Sequence, residues 1–139
     1  MSEASVEVSG ETIGSISQGL CIFIGVTHSD SEKIAEKLAR KIIELRIFED
    51  ADGRMNLSSL DVEAELLVVS QFTLYGDVSR GRRPSWVGAA SPEKAEPLID
   101  HFVSSLSSYG IKVETGEFQA FMNVSLVNEG PSTMMIELD

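Results

Sequence analysis

Two uninterrupted apolar runs, residues 20–26 and 66–69, constrain the fold more than any other feature of the chain. A segment apolar at consecutive positions has no face to offer water, so each reads as a strand buried inside a sheet. Two further segments have helical periodicity. In the first, Ser29 and Glu32 have capping-box spacing, and Ile34, Leu38, Ile42 and Leu45 then fall on one face. In the second, Ser91 and Pro92 supply a cap and a first-turn proline. Ala95, Leu98, Ile99, Phe102, Leu106 and Tyr109 follow at helical spacing, and Gly110 closes the run. Pro97 removes a backbone donor, so either the first turn is irregular or regular helix begins near Glu96.

Shorter elements complete a mixed α/β pattern. Val6 and Val8 alternate with polar residues before Gly10, and Ile13 and Ile16 follow, predicting a strand, a turn and a second strand. Asp52-Gly53 predicts a hairpin, since the acidic residues around it lack the remaining ligands of a calcium loop. Residues 111–113, 121–127 and 134–138 predict three more strands. A chain of 139 residues fills one core comfortably and two poorly, and no repeat or linker divides it, so 1–139 is expected to be a single domain.

The net charge of −11 argues against indiscriminate binding to nucleic acid, which depends on neutralising phosphates. Two local basic features depart from that balance: the loop Arg80-Gly81-Arg82-Arg83-Pro84, and a helix face carrying Lys33, Lys37, Arg40 and Lys41. Together they suit one short contact with a phosphate backbone. Cys21, the only cysteine, lies in the first buried run, which excludes an intrachain disulfide and reads as an inert thiol. With His28 and His101 it shows no zinc-ligand spacing, so no metal or cofactor is expected. No apolar stretch is long enough to cross a bilayer and the first residues lack signal-peptide character, which makes the cytoplasm the expected location.

The second buried run continues into Ser70, Gln71, Phe72, Thr73, Leu74 and Tyr75, which are expected to extend the same strand. Polar side chains there either face out from an edge strand or serve as hydrogen-bonding groups of a pocket with Phe72 as its apolar surface. Thr73 is a possible nucleophile, but no histidine, lysine or cysteine is placed nearby in sequence to activate it. His28 beside Ser29 and Asp30 is no triad, because triad members meet through the fold and Ser29 has a helix to cap. The second informative stretch is Asn128-Glu129-Gly130-Pro131-Ser132-Thr133, between two apolar runs. Gly130-Pro131 reads as a turn, or as a rigid pair of carbonyl acceptors for a ligand's ammonium group if the bond is cis.

Taken together, Ser70-Gln71-Phe72-Thr73-Leu74 and Asn128-Glu129-Gly130-Pro131-Ser132-Thr133 resemble the two motifs of the D-aminoacyl-tRNA deacylases. The likeness extends through Leu45-Arg46-Ile47-Phe48, Gly81-Arg82-Arg83-Pro84-Ser85, and Phe118 with Met122. It implies mixed sheets in a barrel-like β/β/α layered domain with two main helices. It also implies a homodimeric editing hydrolase that cleaves the ester joining a D-amino acid, or glycine, to tRNA. Gly130 and Pro131 would enter the partner's pocket, hold the substrate's amino group and exclude an L side chain. Ser70, Gln71, Phe72, Thr73 and Thr133 would line the pocket, and Phe118 and Met122 would hold the terminal adenosine. Catalysis would rest largely on the tRNA 2′-hydroxyl. Apart from the resemblance, the need to stabilise developing charge points to an oxyanion contact from backbone amides near Phe72 and Thr73. Arg80, Arg82 and Arg83 would meet the tRNA backbone. The chain departs from the family pattern at Ser132, where valine is usual, at Asn123, where glutamine is common, and in lacking the usual first strand. The alternative is a truncated or diverged member that binds RNA or DNA without turnover, although the absence of a basic tail after Thr133 argues against DNA.

Overall fold

The computed structural model describes residues 1–139. Strands β1 (Glu3–Val8) and β2 (Glu11–Ile16) are joined by Ser9 and Gly10, whose φ angles of 52° and 79° suit a two-residue type I′ turn. Then come β3 (Gly19–Ile24), α1 (Glu32–Glu44), β4 (Phe48–Glu49), β5 (Met55–Leu57) and β6 (Glu65–Ser70). The chain continues with α2 (Pro92–Ser107), β7 (Val113–Thr115) and β8 (Asn123–Val127). They form an antiparallel sheet in the order β2-β1-β8, a parallel sheet β3-β6-β7, and a β4-β5 hairpin turned at Gly53.

The middle strand of the parallel sheet shows why residues 66–69 have no polar position. Successive side chains point to opposite faces, and β6 has a core on each. Leu66 and Val68 join Ile24, Ala39, Ile42, Ile43, Phe102 and Leu106 between this sheet and both helices. Leu67 and Val69 point the other way, into a cluster with Ala4, Val6 and Ile16 of the antiparallel sheet. All four β6 side chains are at most 2% exposed, and each such burial stabilises by about 1.5–3 kcal/mol. The layers are therefore sheet, sheet and helices, the expected β/β/α arrangement. The sheets pack face to face without closing, so "barrel-like" describes them only loosely.

Several local expectations are corrected. Ser31, not Ser29, caps α1, its Oγ accepting from the Ile34 N–H at 3.4 Å, while the Asp30 carboxylate accepts from the Thr27 N–H at 2.9 Å. The fully buried face of α1 is Ala39, Ile42 and Ile43, with Ile34 and Leu45 only half-buried. Helix α2 runs straight through Pro97, and Tyr109 lies past its end. Residues 134–138 form no strand. β8 pairs only with β1 and keeps a free edge, but these residues do not take it; Ile136 packs against the helix-side core instead.

Candidate active site

Ser70 ends β6, and the chain then turns instead of extending the strand as expected. Its ladder partners have run out: β3 ends opposite Ser70 at Ile24, and β7 pairs no further than Val68. Beyond them the backbone satisfies itself locally, in a 3₁₀ turn over Phe72–Tyr75. The Leu74 N–H donates to the Gln71 carbonyl at 3.1 Å and the Gly76 N–H to that of Thr73 at 3.0 Å. The Gln71 N–H donates to the Ile24 carbonyl at 2.7 Å, tying the turn to the sheet. An added Cβ at Gly25 would stand 3.1 Å from the Tyr75 ring, so the missing side chain lets that ring seat against β3. Burial there, followed by the charges of Asp30 and Glu137, pushes the Tyr75 hydroxyl pKa up.

The turn presents Phe72, 58% exposed, and Thr73 to solvent. The Thr73 hydroxyl accepts a hydrogen bond from the Gln71 side-chain amide, and no other side chain engages it. No general base is paired with it. His28 is committed elsewhere, its Nε2 lying 2.6 Å from the Val87 carbonyl and its own carbonyl accepting from Lys94.

Beside the turn, at the carboxyl ends of β6 and β7, a cleft of about 350 Å³ opens against α2. Ser70 and Phe118, both expected at the site, line it with Val68, Thr115 and Gly116. Five residues of α2 complete the wall: Glu96, Ile99, Asp100, Val103 and Ser104. Sequence reasoning followed only the apolar face of this helix. The overlooked signal was the four-residue spacing of Glu96, Asp100 and Ser104, which stacks three polar side chains on one stripe. Met122 does not join Phe118 in this cleft. It packs into the cluster between the sheets, beside Gly116, where a Cβ would lie 2.5 Å from its sulfur.

The second motif lies after β8 as an exposed loop. Asn128 Nδ2 donates to Thr133 Oγ1 at 3.2 Å, closing the loop's base, so Thr133 acts here as a clamp. The Gly130–Pro131 peptide bond is cis, and nothing beyond its chain neighbours lies within 4 Å of where a Gly130 Cβ would stand. None of the loop's residues lines the cleft. Ser132 is only half-buried and Asn123 is exposed, so both departures from the family pattern keep access to solvent.

The arginine loop is a small hairpin closed by Asp77 and Ser85, which exchange two backbone hydrogen bonds of 2.8 Å. Arg80, Arg82 and Arg83 are exposed at its tip without ion pairs, and Gly81 takes a left-handed φ of 68°. The Asp77 carboxylate accepts from the Ser79 hydroxyl and backbone N–H, which hold its pKa below the ordinary value. On the face of the parallel sheet that packs against the antiparallel sheet, burial pushes the Cys21 thiol up to about 11. No three His, Cys, Asp or Glu side chains converge on a metal-sized site, and no helix is long and apolar enough to cross a membrane.

These features define a β/β/α-layered protein with an unassisted hydroxyl turn, an open cleft at the ends of parallel strands, and a separate Gly-Pro loop. A family model described as D-Tyr-tRNA(Tyr) deacylase matches residues 1–137, and the chain belongs to that family. A D-aminoacyl-tRNA deacylase from Desulfatibacillum aliphaticivorans is 56% identical over 134 residues, covering 96% of this chain and 92% of the relative. Among solved structures, the c-Myc DNA Unwinding Element Binding Protein superposes with a TM-score of 0.92 at 37% identity, covering 99% of this chain and 94% of its own. A probable eukaryotic D-amino acid tRNA deacylase shares the fold, with a TM-score of 0.85 at 17% identity, over 99% of this chain and 95% of its own.

Proposed function

We propose that residues 1–139 act as one domain of a cytoplasmic tRNA-editing hydrolase. It cleaves the ester between a D-amino acid and the terminal adenosine of tRNA, releasing free amino acid and tRNA. The observation that carries the mechanism is the Thr73 hydroxyl, which is held by the Gln71 amide and has no base beside it. An unassisted hydroxyl is a weak nucleophile, so water attacks the ester carbonyl with help from the substrate's own 2′-hydroxyl. The N–H groups of Phe72 and Thr73 open the 3₁₀ turn, where a helical turn has no internal acceptor for them, and they face the developing oxyanion.

Handedness is judged in a homodimer. The Gly130 and Pro131 carbonyls of one protomer accept from the substrate ammonium in the partner's pocket and leave no room for an L side chain. The loop's clearance from its own cleft supports this reading, as does the apolar edge around it. Phe121, Leu126, Val127, Met134 and Met135 are all exposed, Met135 at 97%. Ser70 and Phe118 form the floor for the terminal nucleotide, with Met122 bracing Gly116 from beneath.

The test compares hydrolysis of D-tyrosyl-tRNA with L-tyrosyl-tRNA, repeated with Thr73→Ala and with a substrate lacking the terminal 2′-hydroxyl. Turnover is expected for the D form only, to depend on that hydroxyl, and to survive in part without the threonine side chain. Equal hydrolysis of both enantiomers overturns the proposal. Binding of tRNA without turnover identifies the chain as a non-catalytic nucleic-acid binder instead.

A further inference from the structure

Phe72 is a pocket residue in the reading above, yet more than half of its surface is open and little of its own turn restrains it. The turn has no side-chain cap at Gln71. What Phe72 does meet is Trp86: the ring centroids are 5.3 Å apart and the planes cross at 64°, an edge-to-face contact.

Trp86 is itself partly exposed, but the backbone on both sides of it is tied down. The residue before it is paired with Asp77 through two hydrogen bonds, and those after it are bonded to the segment following β3. The Ala89 N–H donates to the Trp86 carbonyl at 3.0 Å and the Ala90 N–H to that of Val26 at 2.9 Å. Thr27 Oγ1 donates to the Gly88 carbonyl at 2.7 Å, and His28 holds that of Val87. The indole then lies against Gly76, where a Cβ would come within 2.5 Å of Cζ3 and 3.2 Å of Cε3. Gly76 is extended, with φ −66° and ψ 126°, so turn geometry does not demand glycine there; the approach of the indole does.

We propose that Trp86, seated on Gly76, is a positioning residue that sets the orientation of Phe72 and of the 3₁₀ turn carrying Thr73. A braced loop on one side and a side-chain-free notch on the other hold the indole, 42% exposed, against the turn. Its edge contact transmits that placement to Phe72. Since misplacing a reacting group by about 1 Å can cost about a hundredfold in rate, such a brace matters to turnover more than to folding. The inference rests on the functional reading of Phe72, and it can fail while that reading stands.

The experiment measures single-turnover hydrolysis of D-tyrosyl-tRNA together with steady-state KM. Trp86→Ala is expected to lower the single-turnover rate by about tenfold to a hundredfold while KM stays within about twofold. Trp86→Phe, which keeps a ring in place, recovers most of the rate. Gly76→Ala, which displaces the indole, loses rate as Trp86→Ala does. Trp86 is the sole tryptophan, so its emission reads the contact directly. Phe72→Leu and Gly76→Ala each shift the emission while far-ultraviolet circular dichroism is unchanged. D-selective turnover by the unmodified chain tests the functional reading on its own. With that turnover present, an unchanged single-turnover rate in Trp86→Ala, a defect confined to KM, or no rescue by Trp86→Phe overturns the positioning role. Without it, the functional reading falls and the role falls with it.

Discussion

Replacing Arg82 and Arg83 together by alanine tests whether the arginine loop meets tRNA. Their side chains are at the exposed tip of a hairpin closed by the Asp77–Ser85 pair, and neither has an acidic partner. The substitution therefore removes positive charge without breaking an ion pair or opening the core. On a chain with net charge −11 this loop is a local exception, and its cations have little to do unless a phosphate meets them. Each neutralised phosphate contributes about 0.7 (single strand) to 0.9 (duplex) to the slope of log affinity against log salt. Two lost contacts lower that slope by about 1.4 to 1.8. Over a fourfold rise in salt, from about 50 to 200 mM, the unmodified protein should lose about 7- to 12-fold more affinity than the variant. The assay is kcat/KM on D-tyrosyl-tRNA across that salt range, with Arg82→Lys/Arg83→Lys as the charge-retaining control. The variant should start weaker at low salt and converge on the unmodified protein at high salt, with kcat held. Parallel salt lines for all three proteins would refute the assignment and make the arginines structural.

Gly19→Ala should destabilise the fold, because its Cβ would stand 1.7 Å from the Glu65 carbonyl oxygen across the β3–β6 pair, and backbone cannot step aside as a side-chain tip can. A loss of about 1–3 kcal/mol or more is expected from urea unfolding, and an unchanged midpoint contradicts the register. Cys21, with its thiol pushed up to about 11, should react slowly with iodoacetamide. At pH 8 only about 0.1% is thiolate, against about a tenth at the unfolded value of 9.0. Because folding favours the neutral thiol, its stabilising effect is complete below the unfolded value of 9.0 and is lost as pH rises through about 11. Alkylation at the rate of an unfolded control would show that Cys21 is not held in this environment.

Apolar patterning made the layers legible because both faces of β6 bury side chains, leaving Leu66, Leu67, Val68 and Val69 with no polar alternative. Where a strand stops is a different kind of information. Ser70 to Tyr75 contains strand-forming residues, yet the ladder ends when Ile24 and Val113–Thr115 no longer supply partners, a limit set by segments nearly fifty residues away on either side. Residues 134–138 are apolar enough for a strand, yet Ile136 packs on the helix-side core and the open edge of β8 stays unpaired. The site divides along this line. Ser70 and Phe118 meet in one cleft through the parallel sheet, whereas Gly130 and Pro131 stand away from it. Short motifs identify both groups in the sequence, but within one chain nothing brings them together. The arrangement has a consequence for mixed dimers, if the Gly-Pro loop works in the partner's pocket. A protomer altered at Thr73 and Phe72 but intact at the loop should still complete the pocket of a protomer altered only at Gly130 and Pro131. Mixing two such impaired variants should then raise turnover above that of either alone, with one restored site of the two in each mixed dimer, as independent assembly of a symmetric dimer requires. No gain over the separate variants after verified subunit exchange would place the loop's action within its own chain.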